Sequence, residues 1–218
     1  YNIDLKWDFN PTPTELISLT AFYKLIKNPI SRIEVASAGG YLSYENIADK
    51  ATVAGVEVEV RKNLFVRPLS SAANGMNKLS FGLNGSYIYT NAKMPLATVT
   101  TGSQLEGAAP WIANFVLSHN FTKGPHSFIN TLVFNYVSDK IYTIGTQGYQ
   151  DIMEQGMMTL DFVSQAKLNK YVSLTLKARN LLNPSYQLSR KANESGEKVV
   201  LSDYKKGINI SLGVSCTF

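Results

Sequence analysis

Gly207-Ile208-Asn209-Ile210-Ser211-Leu212-Gly213-Val214-Ser215-Cys216-Thr217-Phe218 closes the chain, and its alternation decides the fold. Ile208, Ile210, Leu212, Val214, Cys216 and Phe218 fall on one side, and Asn209, Ser211, Gly213, Ser215 and Thr217 on the other. Successive side chains of a strand point to opposite faces, so period two marks a strand with two different surroundings. The same rule holds upstream. Val172, Leu174, Leu176 and Ala178 stand against Tyr171, Ser173, Thr175, Lys177 and Arg179, and Val56, Val58 and Val60 against Gly55, Glu57, Glu59 and Arg61. Met158, Leu160, Phe162, Ala166 and Leu168 stand against Thr159, Asp161, Gln165 and Lys167, and Leu79, Phe81, Leu83, Tyr87 and Tyr89 against Ser80, Asn84, Ser86 and Thr90.

Strands with one apolar face fit a soluble sandwich, with that face inward, or a membrane barrel, with that face in lipid and the polar face lining the lumen. Length and connection asymmetry discriminate. The pattern predicts strands over 1–9, 15–27, 51–63, 77–91, 109–122, 126–143, 156–168, 171–183 and 203–218. Most pass ten residues, whereas soluble strands have about five or six and a tilted membrane span needs about 9–11. Short or medium links (10–14, 64–76, 123–125, 169–170) alternate with long ones (28–50, 92–108, 144–155, 184–202). Short turns on one side and long loops on the other characterise outer-membrane barrels. The expected fold is therefore all-β, an antiparallel transmembrane β-barrel. Nine strands is an odd count, so residues 1–218 are expected to be the C-terminal portion of a larger barrel domain.

Composition agrees. Of 218 residues 44% are hydrophobic and only 17% charged, against about 25% charged in a typical globular chain. Tyr (12) and Phe (10) are plentiful. Tyr87, Tyr89, Tyr142, Tyr171, Tyr186 and Tyr204 are candidates for interfacial girdles. No run approaches the about 20 apolar residues of a spanning helix. The opening Tyr1-Asn2-Ile3-Asp4-Leu5 has no signal-peptide pattern, from which a missing N-terminal region is expected. The net charge of +5 comes from Lys and Arg scattered in ones and twos, which excludes the basic stripe of a nucleic-acid binder. A single cysteine, Cys216, excludes an internal disulfide and a Cys-based metal cluster.

The terminal strand, with Tyr204-Lys205-Lys206-Gly207 before it, resembles that of TonB-dependent outer-membrane receptors. Four further stretches are similar to motifs of that family. These are Ala54-Gly55-Val56-Glu57-Val58-Glu59, Gly107-Ala108-Ala109-Pro110-Trp111-Ile112-Ala113-Asn114, Leu160-Asp161-Phe162 and Asn180-Leu181-Leu182-Asn183. Ala108, where the family often has Gln, and Cys216, where it has an aromatic or β-branched residue, depart from the pattern. The resemblance implies a barrel-assembly signal formed by Tyr204, Leu212, Val214 and Phe218, read by the barrel-assembly machinery. It implies a plug domain and TonB-box segment upstream, coupling to the TonB energy complex, and uptake of a scarce nutrient such as an iron chelate, a vitamin or an oligosaccharide. The expected location is the bacterial outer membrane, with outer-membrane lipid around the wall.

Glu57, Glu59, Arg61, Lys177 and Arg179 are the expected lumen-facing charges. No enzyme chemistry and no cofactor are expected. Glu57 and Glu59 share one face of one strand, whereas glycosidase carboxylates flank a substrate from different elements. His119 and His126 lack further metal ligands, and no serine sits in a G-x-S-x-G setting. Gly85-Ser86 and Gly102-Ser103 read as small lumen and loop positions. The stretch 185–202, with Arg190, Lys191, Glu194, Glu197 and Lys198, reads as a solvated loop. The competing readings are a small complete pore or structural barrel and a soluble carbohydrate-binding sandwich.

Overall fold

The computed structural model describes residues 1–35, 41–69, 75–93, 104–146, 148–192 and 195–217. Nine strands form one antiparallel sheet: β1 (Asn2–Phe9), β2 (Leu16–Lys27), β5 (Lys50–Leu69), β6 (Gly75–Ala92), β7 (Trp111–Lys123), β8 (His126–Val137), β11 (Met157–Lys167), β12 (Val172–Arg179) and β15 (Asn209–Cys216). They lie side by side in chain order, so each strand pairs with the next wall strand along the sequence. Six further strands are built from the long connections. β3 (Ile30–Glu34) and β4 (Leu42–Asn46) form a hairpin. β9 (Lys140–Thr143), β10 (Ile152–Glu154), β13 (Ser185–Lys191) and β14 (Lys198–Lys205) form a second sheet in the order β14-β13-β10-β9.

The register carries the sequence alternation across the whole wall. Phe9, Ile17, Val60, Leu83, Phe115, Phe134 and Leu160 are successive cross-strand partners, one per strand from β1 to β11. The residues one step away form the matching row on the other face: Asp8, Ser18, Glu59, Asn84, Asn114, Asn135 and Thr159. A slip of one residue in any pair would put an apolar side chain into the polar row, which is why the pattern fixes the register. Val116 and Val133 are apolar insertions on the polar face, where they are partners. Gly55 is required in β5 because a Cβ there would collide with the ring of Phe22 and the carbonyl oxygen of Tyr87.

The apolar face of the wall carries no second layer among the described residues. Ile210, Leu212 and Val214 in β15 are 69%, 71% and 63% exposed. The buried hydrophobic cluster lies elsewhere. Ile33, Ile47, Ile141 and Ile144, from the long connections, pack with Ala51 and Ala92, a cross-strand pair where β5 and β6 meet those connections. An isolated parallel bridge, Ile33 to Ile144, ties the β3–β4 hairpin to the second sheet, and the Ile144 amide donates to the Arg32 carbonyl at 3.0 Å. The long connections thus fold together as a cap on one end of the wall.

Three expected boundaries are corrected. The expected strand 126–143 is two, because the chain leaves the wall at Ser138-Asp139, and β9 joins the cap. The expected strand 171–183 ends at Arg179, because Asn180 (φ 58) and Asn183 (φ 44) take left-handed conformations. The expected strand 203–218 is split by Gly207 (φ 83), which places residues 203–205 in β14 and the wall strand from Asn209 onward. Tyr204 consequently lies off the terminal strand, against Tyr186 with ring centroids 5.1 Å apart. Tyr142, Tyr186 and Tyr204 therefore belong to the cap and not to a girdle on the wall. Alternation reads the same in both sheets, so it cannot say which sheet a segment joins.

Candidate functional site: the polar face and the rim beneath the cap

Glu57, Glu59 and Arg61 occupy the polar face of β5, and Lys177 and Arg179 that of β12. Glu59 is paired with Arg61 at 2.5 Å, in a half-exposed setting where such a pair contributes about 0–1 kcal/mol. Lys177 and Arg179 make no side-chain hydrogen bond or ion pair among the described residues. The two groups stand four intervening strands apart in the sheet (β6, β7, β8 and β11), so they do not form one cluster. Between them lie Lys78 on β6 and Asp161 and Lys167 on β11, and intervening amides and hydroxyls bond to one another. Asn114 Nδ2 donates to Asn84 Oδ1 at 3.4 Å, and Asn135 Nδ2 to Thr159 Oγ1 at 3.1 Å.

Leu212 and Val214 sit on the apolar face of β15, opposite Leu176 and Leu174. Phe218 and Glu194 lie outside the described residues, as do Gly102 and Ser103. His119 is on the apolar face, its Nε2 at 2.8 Å from Asn77 Oδ1. The neighbouring polar side chains on that face, Ser164 and Asn130, bond to each other at 2.7 Å.

Two of the short motifs meet at the rim. Asp161 Oδ1 accepts from the Asn180 amide at 2.8 Å. Asn180 Nδ2 donates to the Gly207 carbonyl at 2.7 Å, and the Gly207 amide donates to Asn183 Oδ1 at 3.0 Å. The Asn180-to-Asn183 segment is therefore a clasp. It holds together the exit from β12, the return into β15 and the neighbouring β11. Asn is suited to it because its short amide tolerates the left-handed conformation and bonds locally. The segment 107–114 does similar work beside β6 and β8. The Ile88 amide donates to Pro110 O at 2.9 Å, and the Ser138 amide to Trp111 O at 2.9 Å. The Trp111 ring packs on Tyr87 at 4.5 Å.

The cap is held by ion pairs. Arg32 Nη2 meets Glu106 at 3.1 Å and Tyr142 O at 2.6 Å, with its guanidinium 3.8 Å from the Tyr142 ring centre. Arg190 pairs with Glu34 at 2.7 Å, and Lys140 with Glu154 at 3.3 Å. Residues 185–202, expected as a solvated loop, instead form most of β13 and β14, and Arg190 is a largely buried strut. Sequence reasoning missed these pairs because their partners are far apart in the chain. In the cap, Tyr186 has a raised proton affinity. Burial, then the charge of Glu154, the nearby Tyr142, a hydrogen bond with Glu154 and the nearby Tyr204 raise its pKa to about 12.

Beneath the cap, on the polar face, a cavity of about 380 Å³ opens against the clasp. Asp161, Arg179, Tyr186, Lys206 and Asn209 are among the residues lining it. Among the described residues no group of three His, Cys, Asp or Glu side chains is placed to share a metal ion.

The family model for the TonB-dependent receptor-like β-barrel matches residues 1–181. The chain belongs to that family. The match spans β1 to β12 and stops inside the clasp, so β13, β14 and β15 lie beyond it. No curated protein and no solved structure matches the chain. Membership makes this an outer-membrane receptor barrel of a transport family rather than an enzyme family, and gives the nine-stranded wall and its connection asymmetry their setting.

Proposed function

We propose that this receptor barrel is the C-terminal part of the wall and outer mouth of an energy-coupled importer of a scarce nutrient. The observation that carries the reading is the pair of rows across the sheet: seven apolar partners on one face, seven polar partners on the other. The apolar face, bare of any second layer, meets outer-membrane lipid. An apolar surface of this extent is untenable in water. The polar face lines the lumen, with Glu57, Glu59, Arg61, Lys177 and Arg179 as its charges. The short-turn end faces the periplasm and the cap faces outward, by the turn rule for such barrels. A plug and the segment that engages the TonB energy complex lie upstream in the parent chain. Leu212, Val214 and Phe218 serve as the signal read by the barrel-assembly machinery, and Tyr204, on β14, takes no part in that strand.

The test uses cells making the full-length protein and cells lacking it, grown in one complex medium whose solutes are profiled before and after. A solute removed only when the protein is present, and only while the inner membrane is energised, is the expected result. Removal that survives a protonophore would mean a passive pore and would sink the proposal, as would identical media.

A further inference from the structure

The rim cavity holds an imbalance of charge that the wall leaves uncompensated. Arg179 is the last residue of β12, and Lys206 immediately precedes the clasp glycine. Both line the cavity, against a single carboxylate, Asp161. Phe162 is the partner of Ala178, so Asp161 stands across from Arg179 one step further along the pair. They still form no ion pair, because Asp161 is turned to the Asn180 amide. Arg179 thus keeps all its guanidinium donors. Among the described residues the Lys206 ammonium has the Tyr186 ring as its partner, 5.8 Å from its centre. A guanidinium is a planar fork that matches a carboxylate or phosphate.

Tyr186 supplies the other half of the recognition. Its ring lines the cavity and is held from behind by the Tyr204 ring, with centroids 5.1 Å apart. A held aromatic ring offers a surface to the planar or apolar body that carries the anion. Below the cavity the cationic character continues. Lys177 is the next residue on the same face of β12, and Lys167 lies opposite Ser173 on β11. Neither has a side-chain partner among the described residues. The polar face of β15 beside them is neutral and small: Asn209, Ser211, Gly213 and Ser215.

We propose that the cavity bounded by Arg179, Lys206 and Tyr186 is an anion-recognising subsite at the mouth, taking a carboxylate or phosphate group joined to a planar or apolar body. The proposal deepens the importer reading and rests on it for its placement at the entry side. The cavity volume, at the small end of ligand sites, suits one acidic moiety of a larger ligand or a small organic anion.

The experiment uses the full-length receptor purified in detergent and three probes: benzoate, phenyl phosphate and the neutral benzamide. Calorimetry or ligand-observed NMR reads their binding. At least one anion binds about tenfold more tightly than benzamide, and the tighter of the two identifies carboxylate or phosphate chemistry. The double variant Arg179→Gln, Lys206→Gln removes that preference. Arg179→Lys, which keeps the charge, restores a preference for the anion. Equal binding of benzamide, an anion preference that survives the double variant, or no preference in Arg179→Lys would each overturn the subsite. Binding by purified protein needs no energy source. Energised depletion of a solute with no anion preference overturns the subsite alone. Anion preference without energised depletion overturns the importer reading alone.

Discussion

The wall and the cap are made of the same element and are held together in different ways. Each wall strand shows one apolar and one polar face, and among the described residues the wall adds to the buried hydrophobic cluster just Ala51 and Ala92, where it meets the cap. It is stabilised by backbone pairing from strand to strand and, on the proposed reading, by placing one face in an apolar solvent, where every backbone group must be satisfied internally. The cap behaves like a small water-soluble protein. It has a cluster of isoleucines, with Ile144 fully buried, and long-range ion pairs such as Arg32–Glu106 and Arg190–Glu34. A barrel wall can therefore carry a separately cored outer piece, and a substitution should be felt according to which solvent its region was built for.

The largest effect should come from breaking the wall on its apolar face. Leu132, between Leu117 and Phe162, replaced by Arg should cost on the order of 3 kcal/mol near the bilayer middle. Thr131→Arg, one residue away at the same depth but on the polar face, should cost less than about 1 kcal/mol, because its side chain stays out of the lipid. Guanidinium unfolding of the full-length receptor in vesicles checks the pair, and equal losses would mean that the two faces do not meet different solvents. Breaking the cap is the next test. Ile144→Ala should lose about 2–3 kcal/mol of local stability through the cavity it leaves. Hydrogen exchange should then rise in β3, β9 and β10 and stay unchanged in β7 and β8. Uniform loosening would show that cap and wall unfold as one unit.

The smallest effect sharpens the distinction through pH. Tyr186 holds its proton in the fold to about pH 12, while an unfolded tyrosine loses it near 10. The folded state then binds more protons, so this contribution is complete below pH 10 and is lost as pH rises from 10 through 12. Cap protection against proteolysis should fall in that window, and Tyr186→Phe should flatten the dependence. A fall of the same size in Tyr186→Phe would remove Tyr186 as its source.

Much of the wall was legible because its information is local. Alternation over each strand gives the face, and the order of short and long links gives the antiparallel path. The same locality made three strands too long. Nothing within 171–183 except the paired asparagines marks where the wall ends, and the asparagines needed Gly207 and Asp161 as partners before their role was visible. The candidate site divides the same way. Lys177 and Arg179 are legible as polar-face charges, whereas the local pattern assigns Lys206 to the terminal strand and Tyr186 to a girdle.

Sequence alone determined that this chain is a two-faced sheet of about nine long strands, since period two needs only neighbours along the chain. Tertiary structure alone decided which segments leave the wall, how they close into a cap, and which charges stay unpaired at its rim. Those outcomes depend on contacts between residues as far apart as Glu34 and Arg190, and no local pattern specifies such a meeting.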